Sequence, residues 1–188
     1  MTVKIVDNTF ISACVDEINC IDLLDLSSQY YDIHTTNEVF GETQDGFNDE
    51  VISNVYDLIK ISSCSSDTYI DLKNWLERRY PGLHTGEITT FLLALLTFAV
   101  CGTEYYYITD DNYMKKIIKN LGNDSIFIQK LDLAVNMENF NVTGTVGFTK
   151  RLIDKGVIHN QFVEPIIQDM EDNGFYLTDK VKDHLRGI

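Results

Sequence analysis

The residues that could do chemistry are acids placed at the ends of apolar runs. Asp110 and Asp111 follow Tyr105-Tyr106-Tyr107-Ile108-Thr109, a run of aromatic and β-branched residues that reads as a buried strand. Adjacent carboxylates there are a poor choice for packing and a good one for holding a cation. Either of them could instead cap a following helix, Asn112 to Leu121, because Asp is a preferred N-cap. Asp7 closes a first β-type run, Val3 to Asp7. Glu42 falls on a helix after a second short strand, and Glu87 in the first turn of an apolar helix. Glu87 could simply favour the helix dipole, and Glu42, like its neighbour Glu38, could be a solvated helix residue. Gathered without a counter-charge, four acids would repel and hold their protons more tightly. A hard divalent cation resolves this, and oxygen-only ligands select Mg²⁺ or Mn²⁺ over zinc. Carboxylate-held Mg²⁺ takes substrate phosphate oxygens as further ligands, which points to phosphoryl transfer.

The elements that must position these acids alternate in type. Short strands are expected at 3–7, 32–36, 60–64, 105–108 and 141–143. Helices are expected at 9–15, 18–31, from a Thr36 cap through Glu42, and at 47–59, 66–80, 88–101, 112–121, 125–139, 145–155, 162–173 and 178–185. This alternation predicts an α/β fold, three layers with a small, mainly parallel sheet of four or five strands. In such a sheet ligands bind at the carboxyl ends of the strands, so Asp7 and Asp110 fall on the same edge. Residues 1–160 are expected to form the main domain, and 161–188 a C-terminal helical extension packed on it.

Composition narrows the function classes. A chain of 188 residues with 44% hydrophobic residues suits one domain with a sizeable core. The net charge of −14 argues against a generic basic nucleic-acid binder and fits cation binding or a basic protein partner. The cysteines at 14, 20, 64 and 101 form no C-x-x-C pair, and the histidines at 34, 84, 159 and 184 have no zinc spacing. No glycine-rich nucleotide-binding motif occurs. The N-terminus lacks a charged region followed by an apolar one, and the apolar stretch Ile88 to Cys101 is too short to span a bilayer. These features predict a cytoplasmic protein with no membrane association.

Five segments in order resemble the PIN-domain ribonucleases, specifically a PIN-like subgroup related to VapC-type toxins. They are Val6-Asp7-Asn8-Thr9, His34 through Glu42 with its Val39-x-x-Glu42, Gly86-Glu87-Ile88, Tyr107-Ile108-Thr109-Asp110-Asp111, and Thr143-Gly144-Thr145-Val146-Gly147-Phe148 with Lys150 and Gly156. The resemblance covers roughly residues 3 to 160. It implies a Mg²⁺- or Mn²⁺-dependent endoribonuclease with metal-site acids Asp7, Glu42, Glu87 and Asp110, assisted by Asp111. Thr9 and Thr109 would orient the carboxylates. It also implies a homodimer and an antitoxin-like basic partner protein that inserts a basic side chain into the acidic site. The aromatics Tyr30, Tyr31, Tyr56, Tyr69 and Phe140 would suit a dimer interface, with core packing the expected use for most of them. Candidate RNA contacts are Lys73, Arg78, Arg79, Lys115, Lys116, Lys119, Lys150 and Arg151. The segment 120–141 departs from the pattern as an insertion. The alternative expectation is a catalytically weak or inactive PIN-like module whose acidic cleft binds a basic protein.

Overall fold

A computed structural model describes residues 1–98, 107–131 and 137–188. Among these residues five strands form one sheet, every pairing parallel: β1 (Thr2–Val6), β2 (Tyr31–Thr35), β3 (Ile59–Ile61), β4 (Tyr107–Ile108) and β5 (Val142–Thr143), in the order β3-β2-β1-β4-β5. Among the described residues eleven α-helices flank it: α1 (Asn8–Ser12), α2 (Leu23–Ser28), α3 (Asn37–Gly46), α4 (Asp49–Leu58), α5 (Asp67–Arg79), α6 (Thr85–Leu93), α7 (Asn112–Leu121), α8 (Ser125–Leu131), α9 (Thr145–Asp154), α10 (Val163–Asp172) and α11 (Asp179–Arg186). The expected α/β architecture is the observed one.

The alternation of side chains along the strands divides the core in two. Val6, Tyr31, Ile33, Ile59 and Ile108 face a cluster closed by α1, α2, α9, α10 and α11, among them Phe10, Leu23, Phe148, Ile166 and Leu185. Ile5 and Tyr107 face the other cluster, with Leu72, Leu76, Ile88, Phe91, Met114 and Phe127 from α5 to α8. On that face β2 and β3 carry Asp32, His34 and Lys60 instead. Among the described residues no helix is long and apolar enough to cross a membrane.

Strand order fixes where a ligand can sit. Beyond β1 the chain moves outward through β2 and β3, then returns to the opposite side of β1 for β4 and β5. The carboxyl ends of β1 and β4 therefore flank a topological switch point, the crevice where open α/β sheets bind ligands. Asp7 directly follows β1, and Thr109 and Asp110 directly follow β4.

Several expected boundaries move. The apolar run Ile18 to Tyr31 is not one helix. Ile18 is buried in extended backbone, Asp22 caps α2 by accepting from the Asp25 amide, and Tyr31 opens β2. The Asp169 carboxylate accepts from the amides of Asn19 and Cys20, both at 2.8 Å, and so ties this loop to α10. The third strand is Ile59–Ile61, not 60–64, and only Ile59 on it is buried. Thr36 stands at the N-cap of α3 without a side-chain capping bond, because its hydroxyl pairs with that of Thr89 at 2.9 Å. Of the aromatics proposed for an interface, Tyr31 and Phe140 are buried and Tyr30 is exposed. Tyr105, Tyr106, Cys101 and part of the expected helix 125–139 lie outside the described residues.

Phe148 of α9 packs edge-on against Phe10 of α1, with ring centroids 5.4 Å apart and planes at 81°. This contact clamps together the two helices that begin beside the switch point. Phe148→Ala is expected to cost about 3–5 kcal/mol of stability by urea denaturation, the range for truncating a fully buried aromatic. A loss under 1 kcal/mol would show that the α1–α9 contact does not secure this edge.

Candidate functional site: an acidic cleft at the sheet switch point

The end of β1 is organised by one threonine. The Thr9 hydroxyl donates to Asp7 Oδ1 at 2.6 Å and accepts from the Asp110 amide at 2.9 Å. It thus bridges the ends of β1 and β4 while orienting a carboxylate. Asp7 is also the N-cap of α1: its Oδ1 accepts from the amides of Thr9 (3.1 Å) and Phe10 (3.3 Å). The second oxygen, Oδ2, is buried and makes no hydrogen bond of normal geometry, the Thr109 hydroxyl being the nearby polar group that still favours the charged carboxylate. Asp7 is 1% exposed. Leaving one oxygen of a buried carboxylate unsatisfied is costly.

Asp7, Glu42, Glu87 and Asp111 line one cleft of roughly 410 Å³, with Thr9 and His84 beside them. Each of the other three acids also caps backbone. Glu42 Oε1 accepts from the Gly86 amide at 3.2 Å. Gly86 is required for this approach, because a Cβ there would lie 2.6 Å from Glu42 Oε1. Glu87 Oε2 accepts from the His84 amide at 3.0 Å, at the start of α6. The first turn of α6 is held to β4 by Tyr107, whose hydroxyl donates to the Glu87 carbonyl at 3.4 Å and accepts from Thr90 at 3.2 Å. Asp111 is the N-cap of α7 and accepts from the Met114 amide. Its own amide donates to the Thr109 hydroxyl at 3.1 Å. The bland role foreseen for Asp111 is therefore observed, within the cleft.

Asp110 does not line this cleft. Its carboxylate turns toward the β5–α9 turn and accepts from the Thr145 amide, 3.1 Å from both oxygens, and from the Thr145 hydroxyl. Lys115 Nζ stands 3.8 Å from Asp110 Oδ1. Gly144 keeps this approach open, since a Cβ there would meet Asp110 Oδ1 at 2.2 Å. Sequence reasoning did not single out Thr145, Lys115, Gly86 or His84 as partners of the acids. Gly86 and Gly144 lie inside motifs that carried the resemblance, but their function as clearance for a carboxylate needs tertiary structure to be seen.

Two carboxyls are shifted upward. Burial pushes Asp7 up to about 6, reinforced by the Asp110 charge and opposed by the Thr109 and Thr9 hydroxyls and the Phe10 amide. Burial also raises Glu87, with the charges of Asp111 and Asp7 acting in the same sense and the His84 amide against it. The donor set is all oxygen, which suits a hard divalent cation. The unpartnered Asp7 Oδ2 is the atom such a cation would satisfy. Among the described residues, however, no three His, Cys, Asp or Glu side chains stand close enough together to hold a metal ion. Comparison with protein-family models, curated proteins and solved structures gives no match.

The Asp7 shift has a definite consequence for stability. Ionisation of Asp7 is harder in the folded than in the unfolded chain, so stability from this group falls as pH rises from about 4 through about 6. Asn is as good an N-cap as Asp and carries no charge. Asp7→Asn is therefore expected to be the more stable protein at about pH 7.5, by up to about 3 kcal/mol, with the difference gone near pH 4. Urea denaturation of both proteins across this range checks it. A pH-independent difference would refute the buried charge as its source.

Proposed function

We propose that the chain is a Mg²⁺- or Mn²⁺-dependent endoribonuclease of PIN-like type. The carrying observation is the buried, half-satisfied carboxylate of Asp7 in an acid-lined cleft at the switch point of a parallel sheet. Support also comes from the five sequence segments that resemble PIN-domain ribonucleases. Asp7 Oδ2 would be the first ligand of the cation; Glu42, Glu87 and Asp111 line the same cleft and would have to close in to join its shell, and Asp110 supports the site through Thr145 and Lys115.

A cation held there would supply Lewis-acid stabilisation of a phosphodiester. The protein's own contribution is positional. Thr9 and the helix-end amides fix Asp7 Oδ1, so that Oδ2 faces its ligand in one orientation. Glu42 and Glu87 each have one oxygen held by an amide at the α6 N-terminus, which fixes their carboxylates beside the cleft. A toxin function, a homodimer and a basic antitoxin-like partner belong to this reading as implications of the resemblance.

The second reading, an interaction module whose cleft binds a basic protein, is favoured by one observation: the acids are not gathered for metal among the described residues. Calorimetric titration separates the two. The nuclease reading expects Mg²⁺ or Mn²⁺ binding that Asp7→Asn removes; absence of binding by either ion would favour the module.

For cleavage itself, wild-type protein with Mn²⁺ is expected to cut RNA, and Asp7→Asn to abolish cutting while melting no earlier than wild type. Wild-type protein inert on varied RNAs with both metals would contradict the proposal. Gly86→Ala gives a finer test. It inserts a methyl into the space held by the Glu42 carboxylate, whose flexible chain can swing away. Cleavage is expected to fall about 10- to 100-fold with the fold intact, as when the orienting partner of a ligand is lost. Unchanged activity would remove Glu42 from the site.

A further inference from the structure

Helix α7 runs against the electrostatics of the chain. The protein carries a net charge of −14, yet Asn112–Leu121 contains three lysines and no acid. Lys115 and Lys119 lie four residues apart and so share one face of the helix. Both line a second cavity, of roughly 480 Å³, between α7 and the residues that lead into β5. The buried side chains of Ile118, Met137 and Phe140 give it an apolar lining, and Asn123 and Asn141 stand exposed at its rim. Glu138 is the single acid among the described lining residues. Lys115 also reaches toward the first site, with its ammonium 3.8 Å from Asp110 Oδ1. One side chain therefore links the supporting wall of the acidic site to the second cavity.

Two ammonium groups beside an apolar lining, with amides at the rim, match a nucleotide: phosphate for the lysines, the base against Phe140, Met137 and Ile118, and base edges for the amides. A base can reach such a lining only when unstacked, which a single strand permits and a duplex does not. The concentration of positive charge also answers an electrostatic difficulty. A polyanion approaching a strongly acidic protein needs a local basic path, and α7 offers one whose N-cap, Asp111, lies in the acidic cleft.

We propose that the cavity between α7 and β5 is a subsite for one nucleotide of single-stranded RNA, flanking the bond presented to the acidic cleft. The inference rests on the nuclease reading for the course of the strand, while occupancy of the subsite can be measured without cleavage.

The test is fluorescence anisotropy with a labelled single-stranded RNA octamer, in Ca²⁺ in place of Mg²⁺ or Mn²⁺. Wild type is compared with Lys115→Ala/Lys119→Ala and with Lys116→Ala, which removes one charge from the same helix outside the cavity. Lys119→Glu, at an exposed position, provides a single substitution that leaves Lys115 with Asp110. The double variant is expected to bind about 10-fold or more weakly and to lose about 1.4 units of salt slope, the contribution of two single-strand phosphate contacts. Lys119→Glu should also weaken binding about 10-fold or more, whereas Lys116→Ala should stay within about 2-fold. Equal losses in Lys116→Ala and the double variant, unaltered affinity in Lys119→Glu, or no octamer binding by wild type would each overturn the subsite. Mn²⁺-dependent cleavage is scored separately on the same proteins. Cleavage that needs Asp7, with octamer affinity indifferent to Lys115 and Lys119, would overturn the subsite and leave the nuclease reading standing. Lysine-dependent octamer binding without cleavage in any metal would do the reverse.

Discussion

One hydroxyl holds the functional edge of this protein together. Thr9 donates to Asp7 at the end of β1 and accepts from the Asp110 amide at the end of β4. The two strands are neighbours but distant in sequence, and the sheet order reverses at the crevice between their carboxyl ends. The surrounding architecture serves this junction. Phe148 and Phe10 clamp the helices that leave it, Tyr107 fixes the first turn of α6, and Gly86 and Gly144 make room for the carboxylates of Glu42 and Asp110.

The junction is not built for stability. A carboxylate at 1% exposure with one oxygen unpartnered makes ionisation unfavourable, and an apolar or amide side chain would pack there at lower cost. The other acids of the cleft are satisfied through backbone amides at helix ends, so each has a structural as well as a chemical claim on its position. Asp110 has gone further and is committed to Thr145 and Lys115. The site is therefore graded: one strained acid at the centre, three acids around it anchored by single amides, and a fifth behind the wall.

Much of this was legible in the sequence, and the reasons for the remainder are physical. Strand ends followed by acids placed Asp7, Asp110 and Asp111 on the correct edge, since parallel strands share a direction. Thr9 and Thr109 were expected to orient carboxylates; the Thr9 hydroxyl donates to the Asp7 carboxylate, whereas the Thr109 hydroxyl accepts from the Asp111 backbone amide. The division of labour between Asp110 and Asp111 was not readable, because it depends on a turn 35 residues away at Thr145. The apolar spacing from Ile18 to Tyr31 suggested one helix. Burial of Ile18 from a loop gives the same spacing, and the signal against it was Asp22, a cap placed just before Leu23. Lys115 and Lys119 were candidate RNA contacts alongside six other cations and could not be set apart from them, because the cavity they share is closed by residues from the segment 137–142.

The central claim is that Asp7 Oδ2 is kept open for a hard divalent cation. The most direct measurement is the anomalous diffraction of Mn²⁺ in crystals of the wild-type protein. The account predicts an anomalous peak in the cleft, within about 2.0–2.3 Å of Asp7 Oδ2, with at least one further oxygen from Glu42, Glu87 or Asp111 in its coordination shell. A cleft without such a peak at saturating Mn²⁺, with the Asp7 carboxylate still unliganded, would contradict it.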